Sequence, residues 1–496
     1  MANTDRQILP LTDPTIALDP MSIEDFESPD EGSGNANSSP TMNKASQISG
    51  TVIPLIQINS TQLKQEEISF FSISISGFLP SAKLVISDVS NRFGDRDYPK
   101  DGDIVSVFIK PPDDEVFKEI RIDFDIISIK FVSSNPNLFT LECSMKVPNL
   151  HAEDCEAFEE ASTFAQINLV ADNLGLGYAS NESETLDPMV RIRPYDTNLK
   201  FINDLTLQAY KDDDSFWTSY IDPYYYLCFV NINKQFSTED LFEDATISIG
   251  QNPNRDGTVT GEPASSLTTL FLSNEEAKRD SDMYINNYGL TNISGKTWRM
   301  NGYKRYCQYY DDFVREWNEF FVDPLTTEGA EKDLILQKGR ADETFYESQV
   351  KYKYLGKQVS GGTQLDGYNM HENYIFAQIL NYQNLKEINK MALTVEMPNM
   401  NFNLYRYQRI PISIYNGDPN TKRLNEKRDE ELGEEETKDN ETEDSTETPG
   451  AKTKNEFLSG YYVIDSIEYI YKGAGIGMKL NCLRREWPIP VENIDY

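Results

Sequence analysis

Two separate blocks of this chain alternate apolar and polar residues one by one over long stretches. In the first block, between Thr51 and Leu150, Phe71, Ile73 and Ile75 are separated by single serines. Successive side chains of a β-strand point to opposite faces, so this period of two predicts strands with one buried and one wet side. The block therefore predicts a small antiparallel sheet or barrel.

The alternation in this first block changes phase once. Apolar residues occupy even positions from Ile120 to Ile126 and then odd positions at Ile127, Ile129 and Phe131. One extra residue in a strand moves all later side chains to the other face of the sheet. The phase change therefore predicts a β-bulge near Ile127.

The second alternating block begins at Glu387 and contains an acidic segment. Its apolar positions are Leu393, Val395, Met397, Ile410, Ile412, Val463, Ile467, Tyr469, Tyr471, Met478, Leu480 and Cys482. Glu426–Thr448 interrupts them with 12 acidic and 3 basic residues, and such a run stays solvated. Because strands resume at Phe457, residues 418–455 are predicted to be a long loop inside a second β domain.

The region between the blocks shows helix signals and few clear patterns beyond them. In 151–235 we predict a helix capped by Ser162 or Thr163 and stopped at Gly175, then one capped by Asp196. Two strands around Asp222-Pro223 complete this α/β connector. The predicted organisation is a flexible arm (1–47), a first β-barrel (48–150), the connector (151–235), a poorly placed insertion (236–385) and a second β-barrel (386–496). The arm is either disordered or ordered only against a partner.

Charge excludes several classes of function. The net charge of −35 argues against holding nucleic acid through its phosphates and against docking on anionic lipid. No run of 18 apolar residues occurs and the N-terminus has no signal-peptide core, so we predict no membrane insertion. Five cysteines without a CxxC pair indicate reduced thiols in a protein assembled in a cytoplasm.

The sequence contains no motif that predicts catalysis. Its two histidines, His151 and His371, lie in polar stretches and are predicted to be solvated. Asn252–Glu262 resembles a calcium loop but has Pro263 at the last ligand position, so a surface turn is favoured. The carboxylates of His151–Glu160 have helical spacing and are read as a solvated acidic face. We therefore predict no catalytic residue, no cofactor, no metal and no enzyme activity.

Three stretches in a fixed order resemble the baseplate hub family of contractile phage tails, which is similar to the hub region of type VI secretion spikes and to late control protein D. Gly77–Ser128 looks like the first tube-type barrel. The helix pair followed by Phe216–Val230 looks like the family's connector. "LSGYYVIDSIEYIYKGAGIGMKLNCLRREWPIP", at 458–490, looks like the closing hairpin of the second barrel.

The resemblance implies a β-rich α+β fold, with two small tube-type antiparallel β-barrels joined by an α/β connector. It further implies a homotrimer that joins the six-fold tail tube to a three-fold spike in the virion tail baseplate, next to other baseplate subunits. Its channel would serve genome ejection and host cell entry, and the acidic charge of the chain predicts that DNA passes through without binding. The machine is either a phage tail or another contractile injection system.

The end of the chain supplies the candidate interaction residues. Arg484, Arg485 and Trp487 leave the second barrel, where Trp487 would seal the rim or act as a core aromatic. Pro488 and Pro490 would prevent the strand from extending the ladder. Only six residues follow Pro490, so the spike is expected to be a separate protein.

Two other classes of function stay open from the sequence. The many tyrosines also suit a host-surface or carbohydrate-binding β protein of a virion. An enzyme, such as a peptidoglycan hydrolase, in 236–385 is the third class. The mass of the native protein separates them, because a trimer supports the hub and a monomer supports the other two.

Overall fold

The computed structural model describes a little over half of the chain. The described residues are 9–12, 54–59, 61–109, 120–133, 136–237, 247–248, 287–293, 305–311, 315–322, 351–358, 371, 373–388, 391–397, 400, 402, 404–413, 415–416, 453–454, 458, 460–472 and 475–484. The acidic run and Asn252–Glu262 lie outside them.

The N-terminal part of the fold is almost entirely β-structure. After strand β1 (Leu9–Thr12) comes a first module that also holds a 3-10 helix at Gln65–Glu67 and a short helix, α1 (Arg92–Asp95). Its strands are β2 (Leu55–Ile58), β3 (Thr61–Gln62), β4 (Ile68–Ile75), β5 (Ser81–Asp88), β6 (Ile104–Ile109), β7 (Ile120–Val132) and β8 (Asn137–Met145).

The connector alternates strands and helices. It comprises β9 (Glu153–Ala161), α2 (Thr163–Asn173), β10 (Gly177–Ser180), β11 (Met189–Thr197), α3 (Asn198–Gln208), β12 (Trp217–Ile221), β13 (Tyr226–Asn231) and α4 (Ile232–Ser237). Strands β1, β10, β13 and β12 form one sheet in that order, and β9 pairs with β11. Part of the N-terminal arm is thus a strand on the connector.

The C-terminal part returns to antiparallel strands. Before it lie β14 (Ile247–Ser248), β15 (Asn287–Asn292), β16 (Arg305–Asp311), β17 (Glu316–Val322), β18 (Lys351–Gln358) and α5 (Tyr374–Glu387). It then comprises β19 (Met391–Met397), β20 (Arg409–Ser413), β21 (Tyr415–Asn416), β22 (Thr453–Lys454), β23 (Gly460–Lys472) and β24 (Gly475–Arg484). We call β15, β19, β20, β23 and β24 the second module.

Both modules belong to one sheet of thirteen strands. Its order is β15-β19-β24-β23-β4-β5-β8-β7-β6-β2-β3, with β20 on β23 and β14 on β20. All these pairings are antiparallel except the short β14–β20 ladder. The predicted β-rich fold with large antiparallel sheets and few helices is therefore confirmed for the described residues.

The alternation seen in the sequence becomes the core of this sheet. Phe71, Ile73 and Ile75 of β4 are all buried. The predicted bulge is also confirmed, because the β7–β8 register shifts between Ile126 and Ser128 and leaves Ile127 as the extra residue. Apolar side chains of both modules and the connector form one continuous buried cluster.

Some local predictions are wrong. Glu153–Ala161 is a strand, so the carboxylates of His151–Glu160 do not lie on a helix, although most of them are exposed as the acidic-face interpretation expects. Arg193 of β11 pairs with two of them. The α3 cap is Thr197, whose hydroxyl accepts from the Lys200 N–H at 3.2 Å. The Ser162 cap of α2 and the Gly175 stop, with a φ of +69°, are confirmed.

Candidate assembly site at the junction of the two modules

The two modules have the same strand order. In the first, the order β5-β8-β7-β6 places the first strand beside the fourth, then the third and the second. The second repeats this with β19-β24-β23-β20. A fifth strand flanks each first strand, β4 on β5 and β15 on β19. One chain therefore carries the same five-stranded unit twice. The first unit is β4 to β8, and the second unit is the second module.

The two units also share a bulge at the same place. The β23–β24 register shifts between Ile464 and Ser466, so Asp465 is the extra residue as Ile127 is in β7. Cys143 and Cys482 occupy the equivalent positions beside these bulges, and both are buried. Burial raises the pKa of Cys143 to about 12, so these cysteines act as small core residues rather than reactive thiols.

The units meet where β23 pairs with β4. The ladder runs over five residue pairs, from Ile467 opposite Ile75 to Tyr471 opposite Phe71. All four of these side chains are buried. This aromatic and aliphatic pairing, with its backbone hydrogen bonds, joins the two units into one sheet.

Arg406 fastens this junction from a buried loop of the second unit. Its Nη1 donates to the Gly77 carbonyl oxygen at 2.8 Å, and its Nε donates to the Asp465 carbonyl oxygen at 2.5 Å. Its Nη2 lies 3.4 Å from Asp465 Oδ1, and its guanidinium lies over the ring of Tyr407. Burial lowers the pKa of Arg406, but Tyr407 and Asp465 outweigh burial and raise it above the ordinary value. Arg406 therefore stays charged and links Gly77, which follows the end of β4, to the bulge residue Asp465 in β23.

The connector is held to both units by hydrogen bonds to their backbone groups. The Tyr220 hydroxyl donates to the Arg406 carbonyl oxygen at 2.9 Å. The Ile221 N–H donates to the Phe78 carbonyl oxygen at 2.7 Å, and the Tyr225 hydroxyl accepts from the Asp123 N–H at 3.0 Å. These bonds attach the connector to residues on both sides of the junction.

A buried polar cluster stabilises the connector itself. The Asp187 carboxylate accepts from the Thr163 N–H at 2.9 Å and from the Tyr210 N–H at 3.0 Å. Arg191 donates to the Thr163 hydroxyl at 2.8 Å, and burial lowers its pKa to about 10, which leaves it charged at neutral pH. The two charges of the cluster, Asp187 and Arg191, therefore each have buried partners.

His371 packs against this cluster and is buried, so its predicted solvation is wrong, whereas His151 is exposed as predicted. Burial lowers the pKa of His371 to about 4, with Asp187 raising it and Arg191 lowering it.

This buried histidine predicts a pH effect. Between pH 6.5 and 4 the unfolded chain binds a proton that folded His371 does not, so its contribution to stability is complete above pH 6.5 and is lost as the pH falls. The loss amounts to about 3 kcal/mol. We expect His371→Asn to flatten the fall in thermal unfolding midpoint over this range. The His151→Asn variant, changed at an exposed position, serves as the control. The same pH dependence of the unfolding midpoint in the unchanged protein and in both variants would contradict the prediction.

The structure places only one of the predicted interaction residues. Arg484 ends β24, is 8% exposed and donates through Nη1 to the Tyr462 hydroxyl at 3.3 Å. Its guanidinium also lies over the Tyr462 ring. Arg485 and Trp487 lie outside the described residues, so their role stays a prediction.

Within the part of the chain that the structure describes, no three histidine, cysteine, aspartate or glutamate side chains are grouped to hold a metal ion. No helix there combines the length and apolar character needed to cross a membrane.

Comparisons with known proteins give distant likenesses. No family model and no curated protein matches this sequence. A tail protein from Neisseria meningitidis MC58 aligns with a TM-score of 0.46 and 9% identity, over 88% of this chain and 98% of that one. The 43 kDa tail protein of prophage MuSo2 from Shewanella oneidensis gives 0.45 and 11%, over 88% and 99%.

A Francisella PdpA-VgrG complex in its half-lidded form is also similar. It has a TM-score of 0.39 and 10% identity, over 92% of this chain and 62% of that one. TM-scores below 0.5 and identities of 9–11% are too low to assign a function to this chain.

Proposed function

We propose that this chain is a structural baseplate hub subunit of a contractile tail. Three copies form a ring that joins the six-fold tail tube to a three-fold spike, carried by a separate protein, and leaves a channel for the genome or an effector. Each five-stranded unit closes into a tube-type barrel in this assembly.

The observation that supports this proposal is the repeat within the chain. Two units of one strand order, joined through β23 and β4, give each chain two pseudo-equivalent positions. Three chains then present six units to a six-fold tube while keeping three-fold symmetry toward the spike. The order of the three hub-like sequence stretches supports the same assembly.

The charge of the chain suits a channel that DNA passes without binding. Removing the acidic run, which contributes −9, from the total of −35 leaves −26. We infer that the channel wall is acidic or neutral, because a wall of lysine and arginine would hold the phosphates through counterion release. A continuous positive stripe along the assembled channel would contradict this.

The mass of the native full-length protein tests the proposal. We expect three times the chain mass in native mass spectrometry and a ring with a central channel in negative-stain images. A stable monomer without a ring would overturn the hub and favour the host-surface or carbohydrate-binding protein.

The acidic run gives a further prediction. Deleting Glu426–Thr448 is expected to leave the trimer intact, because desolvating 12 carboxylates at an interface without paired cations costs too much free energy. Native mass spectrometry of the deletion variant in 0.1 and 0.5 M salt checks this. Dissociation at the higher salt would show that the run helps to hold the ring together.

A further inference from the structure

The outer half of β7 forms an exposed sheet edge. Strand β6 pairs with β7 only from Ile120 to Asp125, and among the described residues no strand pairs with its remainder on that side. Ile127, Phe131 and Val132 are 63%, 44% and 43% exposed there. Such an edge is a template for another strand.

The equivalent edge of the second unit is not exposed, because β4 covers it. Strand β20 pairs with the first half of β23, and β4 pairs with its second half, from Ile467 to Tyr471. In the described part of the chain, the first unit therefore lacks the strand that β4 supplies to the second unit.

The strand equivalent to β4 is β15, which ends the large sheet in the part of the chain that is described. Strand β4 pairs with β5 on one side and β23 on the other. Strand β15 pairs with β19 on one side, and no described strand lies on its other side. Among the described residues, each chain therefore has one open edge of each kind.

We propose that β15 of one copy pairs antiparallel with the outer half of β7 of the next copy, as β4 pairs with β23 inside each chain. This inference rests on the proposed trimer and specifies its contact. Because the two edges differ, the interface between copies is heterologous. Repeating such a contact gives a ring when the rotation from one copy to the next adds up to a full turn.

The internal repeat also determines which residues of β15 and β7 face each other in the proposed contact between copies. Aligning the bulge residues Ile127 and Asp465 makes Phe131 equivalent to Tyr469, and Lys130 to Glu468. Aligning the pairings of β15 on β19 with those of β4 on β5 makes Leu290 equivalent to Ile73.

The internal ladder places Tyr469 opposite Ile73, Glu468 opposite Ser74 and Ile470 opposite Ser72. The contact between copies therefore places Phe131 opposite Leu290, Lys130 opposite Thr291 and Val132 opposite Gly289.

The chemistry of both edges suits a second copy of this chain. Phe131 would be buried against Leu290, which already packs against the main core. Neither 127–132 nor 287–292 contains an acidic residue, and Lys130 is their only charge. In a chain of net charge −35, these edges approach each other with little repulsion.

Disulfide trapping tests the register. In full-length protein with the exposed Cys155 changed to serine, Lys130→Cys and Thr291→Cys are introduced together. Cα atoms of directly opposite residues are about 4.5–5.5 Å apart in antiparallel pairs, within disulfide range. We expect mild oxidation to give covalent dimers and trimers on a denaturing gel.

Two other pairs of cysteine substitutions serve as controls for the disulfide trapping. Glu468→Cys with Ser74→Cys is the equivalent pair inside one chain and is expected to oxidise without a change in chain number. Lys130→Cys with Asn287→Cys lies four residues out of register on the same strand and is expected to give no covalent dimer.

The outcomes separate this inference from the hub proposal. A native trimer that traps only with Lys130→Cys and Thr291→Cys supports both. A native trimer that does not trap, or that traps equally with Asn287→Cys, overturns the strand pairing and leaves the hub proposal standing. A native monomer overturns both.

Discussion

Replacing both Val132 and Gly289 with glutamate is expected to dissociate the proposed ring into single chains. The inferred register places these residues opposite each other, so two carboxylates would face one another at every junction. Like charges brought together at an interface cost several kcal/mol, which weakens affinity by on the order of 100-fold or more. Native mass spectrometry at micromolar concentration measures the change.

The fold of a single chain tolerates these substitutions. Val132 is exposed, and a Cβ at Gly289 meets no heavy atom within 4 Å. Gly289→Ser is the conservative control, because serine occupies the equivalent position 72 in β4. Circular dichroism of the double variant checks that its strands remain.

A charge reversal makes the test specific to the register. Val132→Lys with Gly289→Glu is expected to restore the trimer, since opposite charges then face each other across the strands. Dissociation of this pair as complete as that of the double glutamate variant would contradict the register. A trimeric double glutamate variant would contradict the pairing itself.

Replacing Arg406 with methionine is expected to lower the free energy of unfolding by about 3–5 kcal/mol. Methionine keeps much of the side-chain volume but leaves the Gly77 and Asp465 carbonyl oxygens without their donor. It also removes the cation beside the Asp465 carboxylate. Urea denaturation followed by tyrosine and tryptophan fluorescence measures the effect.

Arg409→Met is the matched control for this variant. Arg409 is half-buried and lies over the Tyr461 ring at 4.1 Å, so its loss is expected to cost about 1 kcal/mol or less. Equal destabilisation by the two variants would show that Arg406 does not fasten the junction more than an ordinary surface-facing arginine does.

Residue periodicity was sufficient to predict the sheets but not their joining. The alternation of Phe71, Ile73 and Ile75 predicts a strand with a buried face, and the phase change predicts the bulge at Ile127. The pairing of β23 with β4 left no such signal, because a strand shows the same alternation whichever strand lies beside it. Two edges far apart in sequence therefore could not be matched from the pattern alone.

Strand β11 shows why the connector's polar cluster was missed. Its sequence alternates Val190, Arg191, Ile192 and Arg193, which favours burial of the aliphatic residues. The structure buries the two arginines and exposes Ile192. Partners on other elements outweigh local hydropathy here, since Asp187 and Gln166 satisfy Arg191, and carboxylates of β9 satisfy Arg193.

The pairing of β4 with β23 also determines how long β4 stays without this partner strand while the ribosome makes the chain. Phe71 and Tyr471, which face each other in the ladder, are 400 residues apart. At about 5–20 residues per second, the ribosome needs about 20–80 seconds to make that length of chain. Throughout this interval β4 presents an open apolar edge, and on a crowded polysome the nearest copies are other unfinished chains. Conditions that slow translation are therefore expected to increase aggregation of nascent chains, and co-expressed holdase chaperones to reduce it.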